Sequence, residues 1–317
     1  MAAPRTGWLG PALRLQSAVA VGLMTAFCLA SVAGVPFGLG LQTAVLLGGI
    51  VLVGFPHGAF DHCVARPVLE RLGRYWWAPF GAGYIGVAGL VWLAWVMAPA
   101  MTLAGFLAVS VLHFGLGDVE DGLAPTAVPR GVAVLAYGAL PLLLPVALHP
   151  GEAAPVLAAL AGVSDEVMQH SLQGAIWLLP AWVAAFGWTM LAAWRERRGV
   201  VERLATATGF VLLPPLLAFG LYFGAGHSVR HVMRLGAWHA PHDPVAAAKW
   251  LARTMLPAGV ICAAGLAGLA LLGKDVIADV LSPSFRVIAA LTLPHMIVTT
   301  WLERTDGGRP LPIAQDV

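Results

Sequence analysis

Charge is scarce in this chain. Of its 317 residues only 11% are Asp, Glu, Lys or Arg, while 59% are hydrophobic and the mean hydropathy is +0.81. Soluble domains carry roughly 25% charged residues, so the composition excludes an ordinary soluble fold and describes a polytopic membrane protein. The net charge of +2 and the pI near 8.6 are too mild for a nucleic-acid surface. The basic residues fall in short clusters between apolar runs, a pattern that sets membrane topology, and no nucleic-acid partner is expected. Cysteine is nearly missing too. Cys28, Cys63 and Cys262 lie far apart in apolar context with no CxxC spacing. That excludes a disulfide framework and a thiolate metal site, and leaves all three as packing residues. No internal repeat is present, and Pro214-Pro215 is the one broken-helix signal, so the paired interruptions of secondary transporters are lacking.

What is there is a series of apolar runs of bilayer length. Leu15 to Val35 is too long for a cleaved signal sequence and reads as a first span; Leu41 to Pro56 is a second, whose helix can continue to His62. Arg66 to Arg74 is a basic linker. Tyr75 to Met97, opened by three aromatics, is a third span, Met101 to Leu116 a fourth, Gly131 to Leu148 a fifth and Leu172 to Trp194 a sixth. Between the last two, Ala153 to Val163 is apolar but too short to cross, which suits an interfacial helix. Leu204 to Phe223 reads as a seventh span kinked at Pro214-Pro215. Met255 to Leu272 and Val287 to Trp301 complete the set. The expected fold class is therefore all-α: a polytopic helical membrane bundle of about eight or nine spans, forming one domain over 1–302, with a polar tail at 303–317. Counting Lys and Arg puts a cytoplasmic N-terminus on the same side as Arg66 to Arg74, Arg130 and Arg195 to Arg203. On that count Arg230, Arg234, Lys249 and Arg253 fall on the opposite side, where the rule does not want them. Arg230 and Arg234 read as interfacial anchors.

The unusual polar residues are histidines set in apolar runs, where a bare imidazole is costly. If Gly226-His227-Ser228-Val229-Arg230-His231 is helical, His227 and His231 are i and i+4 and project from one face toward a single ion. His57 and His113 sit in similar settings upstream. One such histidine is ordinarily a hydrogen-bonded core residue; four from three segments, two of them at helical spacing, make an all-imidazole metal site. Neutral imidazole suits Fe, Zn, Cu or Ni, so ligand type leaves the metal open. His149, His170, His239 and His242 fall in connecting segments and read as solvated.

Four motifs in the same order, Pro56-His-Gly-Ala-Phe-Asp-His62, His113-Phe-Gly-Leu-Gly-Asp118, Gly226 to His231 and Leu293-Pro294-His295, resemble the Brp/Blh family of prokaryotic β-carotene 15,15′-dioxygenases. The resemblance implies oxidative cleavage of the central double bond of β-carotene or a related carotenoid by O2, yielding retinal, in an integral membrane protein of a prokaryotic plasma membrane. It implies Fe(2+) held by His57, His113, His227 and His231. Asp61, His62, Asp118 and His295 also fall in matching motifs and are candidates to orient ligands or line the pocket. Asp61, one helical turn beyond His57, suits the free N–H of that ligand. Phe55, Phe60, Phe114, Tyr222, Phe223 and Trp238 are candidate walls of a polyene tunnel. Two alternatives stand beside this reading. A membrane desaturase or hydroxylase resembles a set of boxes with about eight histidines including HxxHH, which is not found here. A carotenoid- or retinal-binding protein or transporter would use the histidines without redox chemistry.

Overall fold

The computed structural model describes residues 7–119, 127–194 and 197–302, all of it helical or connecting. In chain order the helices are α1 (Leu9–Val32), α2 (Leu39–Leu72), α3 (Trp77–Met97), α4 (Pro99–Asp118), α5 (Arg130–Leu148), α6 (Pro150–Ala161), α7 (Asp165–Ala192), α8 (Arg197–Leu212), α9 (215–239), α10 (Pro244–Leu272) and α11 (Val276–Thr300). Eight of them, α1 to α5, α7, α10 and α11, are long and apolar enough to cross a bilayer. The protein is a polytopic helical membrane protein. The expected tail at 303–317 lies outside the described residues.

The expected seventh span is corrected. Helix α8 stops at Leu212, Pro214 is extended at ψ 139°, and a new helix starts at Pro215 and runs back. Each proline removes a backbone donor, and Pro215 also disfavours helical geometry at the residue before it, so the chain reverses where a kink was expected. Hydrogen bonds to α1 fix the directions. Ser17 and Ser31 of α1 meet Glu202 and the Leu212 carbonyl of α8, so these two run parallel; Gln16 and Trp8 meet the Ala225 and Ala240 carbonyls, so α9 runs against them. The pair α8 and α9 thus crosses the bundle and returns. This removes the charge conflict, because Arg230, Arg234, Lys249 and Arg253 now share an end with Arg66, Arg74 and Arg130. The basic linker is corrected as well: α2 continues to Leu72 and ends at Gly73, whose φ of +99° suits a residue without Cβ.

Two close crossings set the frame of the site. A Cβ at Gly115 would lie 2.0 Å from the Val134 carbonyl oxygen, and one at Gly138 would lie 1.8 Å from that of Val111, so α4 and α5 touch backbone to backbone. Helices α2 and α9 cross in the same way at Gly49, Gly220 and Gly224. Small residues permit such approach where lipid supplies no hydrophobic drive between helices. Beyond its crossing, α2 departs from α geometry: Ile50–Gly54 is a π turn and Pro56–Phe60 a 3-10 turn. Helix α9 has its own π turn at Tyr222–His227. Such local changes of winding are frequent at functional sites, since they re-aim side chains without breaking the helix.

Candidate metal centre and cavity

Five imidazoles converge from four helices. His57 comes from the 3-10 turn of α2, His113 from the last turns of α4, His227 and His231 from α9, and His295 from α11. Ring centroids are 5.3 Å apart for His113 and His227, 5.6 Å for His57 and His231, 4.9 Å for His57 and His295, 5.4 Å for His113 and His295, and 5.9 Å for His231 and His295. One ligand nitrogen from each of His57, His113 and His295 falls within 4.8 Å of the other two. His227, the last residue of the π turn, faces His113, and His231, four residues on, faces His57. The donor set fits a metal ion on its own chemistry. It holds imidazole nitrogens in a buried or half-buried setting, and the Nδ1 atoms of His57 and His227 have no hydrogen-bond partner.

Two buried carboxylates stand behind the rings. Asp61 Oδ1 accepts from His295 Nδ1 at 2.7 Å, and its Oδ2 accepts from the Tyr84 hydroxyl at 2.8 Å. Asp61 was expected to serve His57. The 3-10 winding of Pro56–Phe60 explains the change: at three residues per turn, positions four apart no longer share a face, and Asp61 is turned toward α11. Asp118, with no exposed side-chain surface, accepts from Arg203 at 2.7 Å and from the Tyr222 hydroxyl at 3.2 Å through Oδ2. Its Oδ1 lies 3.9 Å from His227 Nδ1 and 3.7 Å from Arg230. Arg230 is also paired with Glu202, which accepts from Ser17 at 2.6 Å. Two acids and two arginines thus form a balanced buried set, as ionised groups in an apolar interior require. Asp118 is expected either to orient a ligand histidine or to cap the following helix; that helix has Pro129 at its N-cap with no side-chain cap, so the capping alternative is corrected, and the observed partners of Asp118 are Arg203 and Tyr222. Arg230 and Arg234 are each 4% exposed, so they are interior groups and not interfacial anchors.

The centre lies in the wall of an apolar cavity of about 520 Å³, within the range of small-molecule sites. His57, His113 and His295 border it, together with faces of α3 to α6, α9 and α11. Away from the histidines and Asp61, Glu152 is the one charged residue among those lining it. The glycines of the second motif acquire reasons here. Gly115 allows the α5 contact, and Gly117 leaves room for the His227 ring, whose Cε1 would be 3.0 Å from a Cβ there.

A family model described as "Beta-carotene 15,15'-dioxygenase" matches residues 48–303, a span holding all five histidines. The chain belongs to that family. A probable beta-carotene 15,15'-dioxygenase Blh of Halobacterium salinarum is 31% identical over 309 residues, covering 88% of this chain and 89% of its own. The beta-carotene 15,15'-dioxygenase of an uncultured marine bacterium, 66A03, is 25% identical over 287 residues, covering 86% and 98%. A probable beta-carotene 15,15'-dioxygenase Brp of Halobacterium salinarum is 25% identical over 354 residues, covering 95% and 96%. No solved structure matches the chain.

Against this dioxygenase family the remaining candidates sort by position. Phe55, Phe114 and Phe223 border the cavity. Phe60 instead packs on Trp250 in a second core cluster with Trp238, and the Tyr222 hydroxyl turns to Asp118. His62 is exposed, borders the cavity, and bonds to the Ala59 carbonyl at 2.7 Å. Sequence reasoning passed over Tyr84, Glu202 and Arg203. The signal for the last two was available: Glu202 and Arg203 sit beside the apolar run that begins at Leu204, where polar groups need partners.

Proposed function

We propose that this protein cleaves the 15,15′ double bond of β-carotene, or of a related carotenoid, with O2 to give two molecules of retinal, at an Fe(2+) ion held by His57, His113, His227 and His231. One oxygen atom enters each carbonyl as the C=C bond is lost, so no further reductant is needed. A ferrous ion supplies the redox chemistry that dioxygen requires to react with a closed-shell polyene. The protein's residues do the rest. The apolar walls, Phe55, Phe114 and Phe223 among them, bind and align the polyene and keep water from the centre. Asp61 holds the His295 ring from behind, which fixes its tautomer and orientation, and Asp118 stands 3.9 Å behind His227. The relatives' names, which state this activity for those proteins, support the same reading.

The observation that carries the proposal is a cluster of five buried or half-buried histidines, three of which, His57, His113 and His295, border an apolar cavity. The same reading takes 1–302 as a single membrane domain in a prokaryotic plasma membrane. Its basic ends, with Arg66, Arg71, Arg74, Arg130, Lys249 and Arg253, face the cytoplasm, as the positive-inside rule requires.

The test is expression of wild type and His227→Ala in cells that accumulate β-carotene, with bleaching, extracted retinal and iron in the purified protein measured together. Retinal and about one iron per chain in the wild type, both lost in the variant, support it. Bound carotene with neither iron nor retinal, from folded wild type, sinks it and leaves a carotenoid-binding protein.

A further inference from the structure

Among the five histidines, His295 is held most firmly and is the one sequence reasoning placed outside the ligand set. Its Nδ1 is committed to Asp61 at 2.7 Å, which leaves Nε2 as its only free nitrogen. Among the described residues no protein group hydrogen-bonds that second nitrogen. Its ring is within 6 Å of three others, His57 at 4.9 Å, His113 at 5.4 Å and His231 at 5.9 Å, so it is the most central of the five. It also belongs to the tightest group of ligand atoms, the three within 4.8 Å, to which neither His227 nor His231 belongs.

Asp61 cannot take the inner place. Both its oxygens are used, one by His295 and one by Tyr84, and its side chain is 5% exposed. The order is therefore carboxylate outside and imidazole inside, the arrangement in which a carboxylate fixes the ring and raises the basicity of a metal-binding histidine. None of the other four histidines has a carboxylate at hydrogen-bond distance among the described residues; His227 stands 3.9 Å from Asp118. Asp61 further differs from Asp118 in its hydrogen-bond partners, which are His295 and Tyr84. Asp118 is already balanced by Arg203 and Arg230.

We infer that His295 binds the metal ion through Nε2 as a fifth ligand beside His57, His113, His227 and His231, with Asp61 and Tyr84 as its positioning residues. This rests on the metal-site reading proposed above. The test uses full-length protein in detergent, stripped of metal and titrated with Co(II) without oxygen, following stoichiometry, dissociation constant and the visible d–d bands. Wild type, His295→Ala, His295→Gln, Asp61→Asn and the distant control His239→Ala are compared, each with its melting temperature. Loss of the ligand is expected to weaken Co(II) by more than the 10–100-fold typical of an outer partner and to change the d–d bands, while Asp61→Asn weakens it by about 10–100-fold at unchanged stoichiometry. Free imidazole restores Co(II) binding to His295→Ala. If His295→Ala and His295→Gln keep the wild-type constant and spectrum, His295 is not a ligand and the inference is overturned, with the four-histidine site intact. A wild type that binds no Co(II) overturns the metal site itself and this inference with it. The Gln variant, which can still donate to Asp61, keeps the outcome readable if the Ala variant does not fold.

Discussion

Replacing Arg203 with methionine isolates what the buried ion network contributes. The Arg203 side chain is 2% exposed and that of Asp118 not at all, with 2.7 Å between them. Removing one partner of such a pair strands the other, at a cost of about 3–5 kcal/mol. Arg230, 3.7 Å from the other carboxylate oxygen, offsets part of that loss. The guanidinium also lies 4.6 Å from the Tyr137 ring centroid, a contact whose loss adds about 0.5–2 kcal/mol. The two corrections oppose each other, and the expected net destabilisation stays at about 3–5 kcal/mol, against a total stability of about 5–15 kcal/mol for a typical protein. Unfolding in detergent micelles, followed by the fluorescence of the 12 tryptophans, measures it. Arg203→Met with Asp118→Asn removes both charges and is expected to cost at least about 2 kcal/mol less than the sum of the two single variants, which is the coupling between the pair. A single variant that costs less than about 1 kcal/mol, or a double variant that loses the sum of both singles, would refute the reasoning.

Other consequences can be checked in parallel. Gly138→Ala drives a Cβ to 1.8 Å from the Val111 carbonyl oxygen, which the backbone contact cannot absorb, so an overpacking cost of about 1–3 kcal/mol or more and a lower yield of folded protein are expected. Gly81→Ala, with nothing within 4 Å of its added carbon, is the matched control. Leu107→Trp fills cavity volume away from the histidines, and kcat/KM for β-carotene is expected to fall at least tenfold, about 1.4 kcal/mol, while iron content stays at the wild-type level. Alkaline phosphatase fused after Gly273 is expected to be active outside the cytoplasm and fused after Gly73 to be inactive; the reverse result overturns the orientation.

The histidines were legible because burial makes an imidazole conspicuous in an apolar run, and because His227 and His231 are four apart where a π turn passes into an α-helix, so both still reach the cluster. Most spans were legible for the same reason of composition. Four features were not. The reversal at Pro214 and Pro215 looked like a kink, since proline signals an interruption and leaves the new direction to packing. The partner of Asp61 depended on a 3-10 turn, a change in winding that alternation of apolar residues does not record. The pairing of Asp118 with Arg203, 85 positions apart, is a long-range match that spacing rules cannot express. His295 lay in a motif with no i, i+4 companion, so its place at the centre emerged only when α11 was set beside α2 and α4.

The lining of the cavity bears on what becomes of an aldehyde formed inside it. Aldehydes condense with primary amines to imines, the reaction by which a lysine captures a carbonyl compound. The chain has two lysines, Lys249 on α10 and Lys274 ahead of α11, and neither borders the cavity. On the proposed reading, a retinal molecule made there meets aromatic rings, aliphatic chains, imidazoles and carboxylates but no lysine among the lining residues, and it leaves as the free aldehyde.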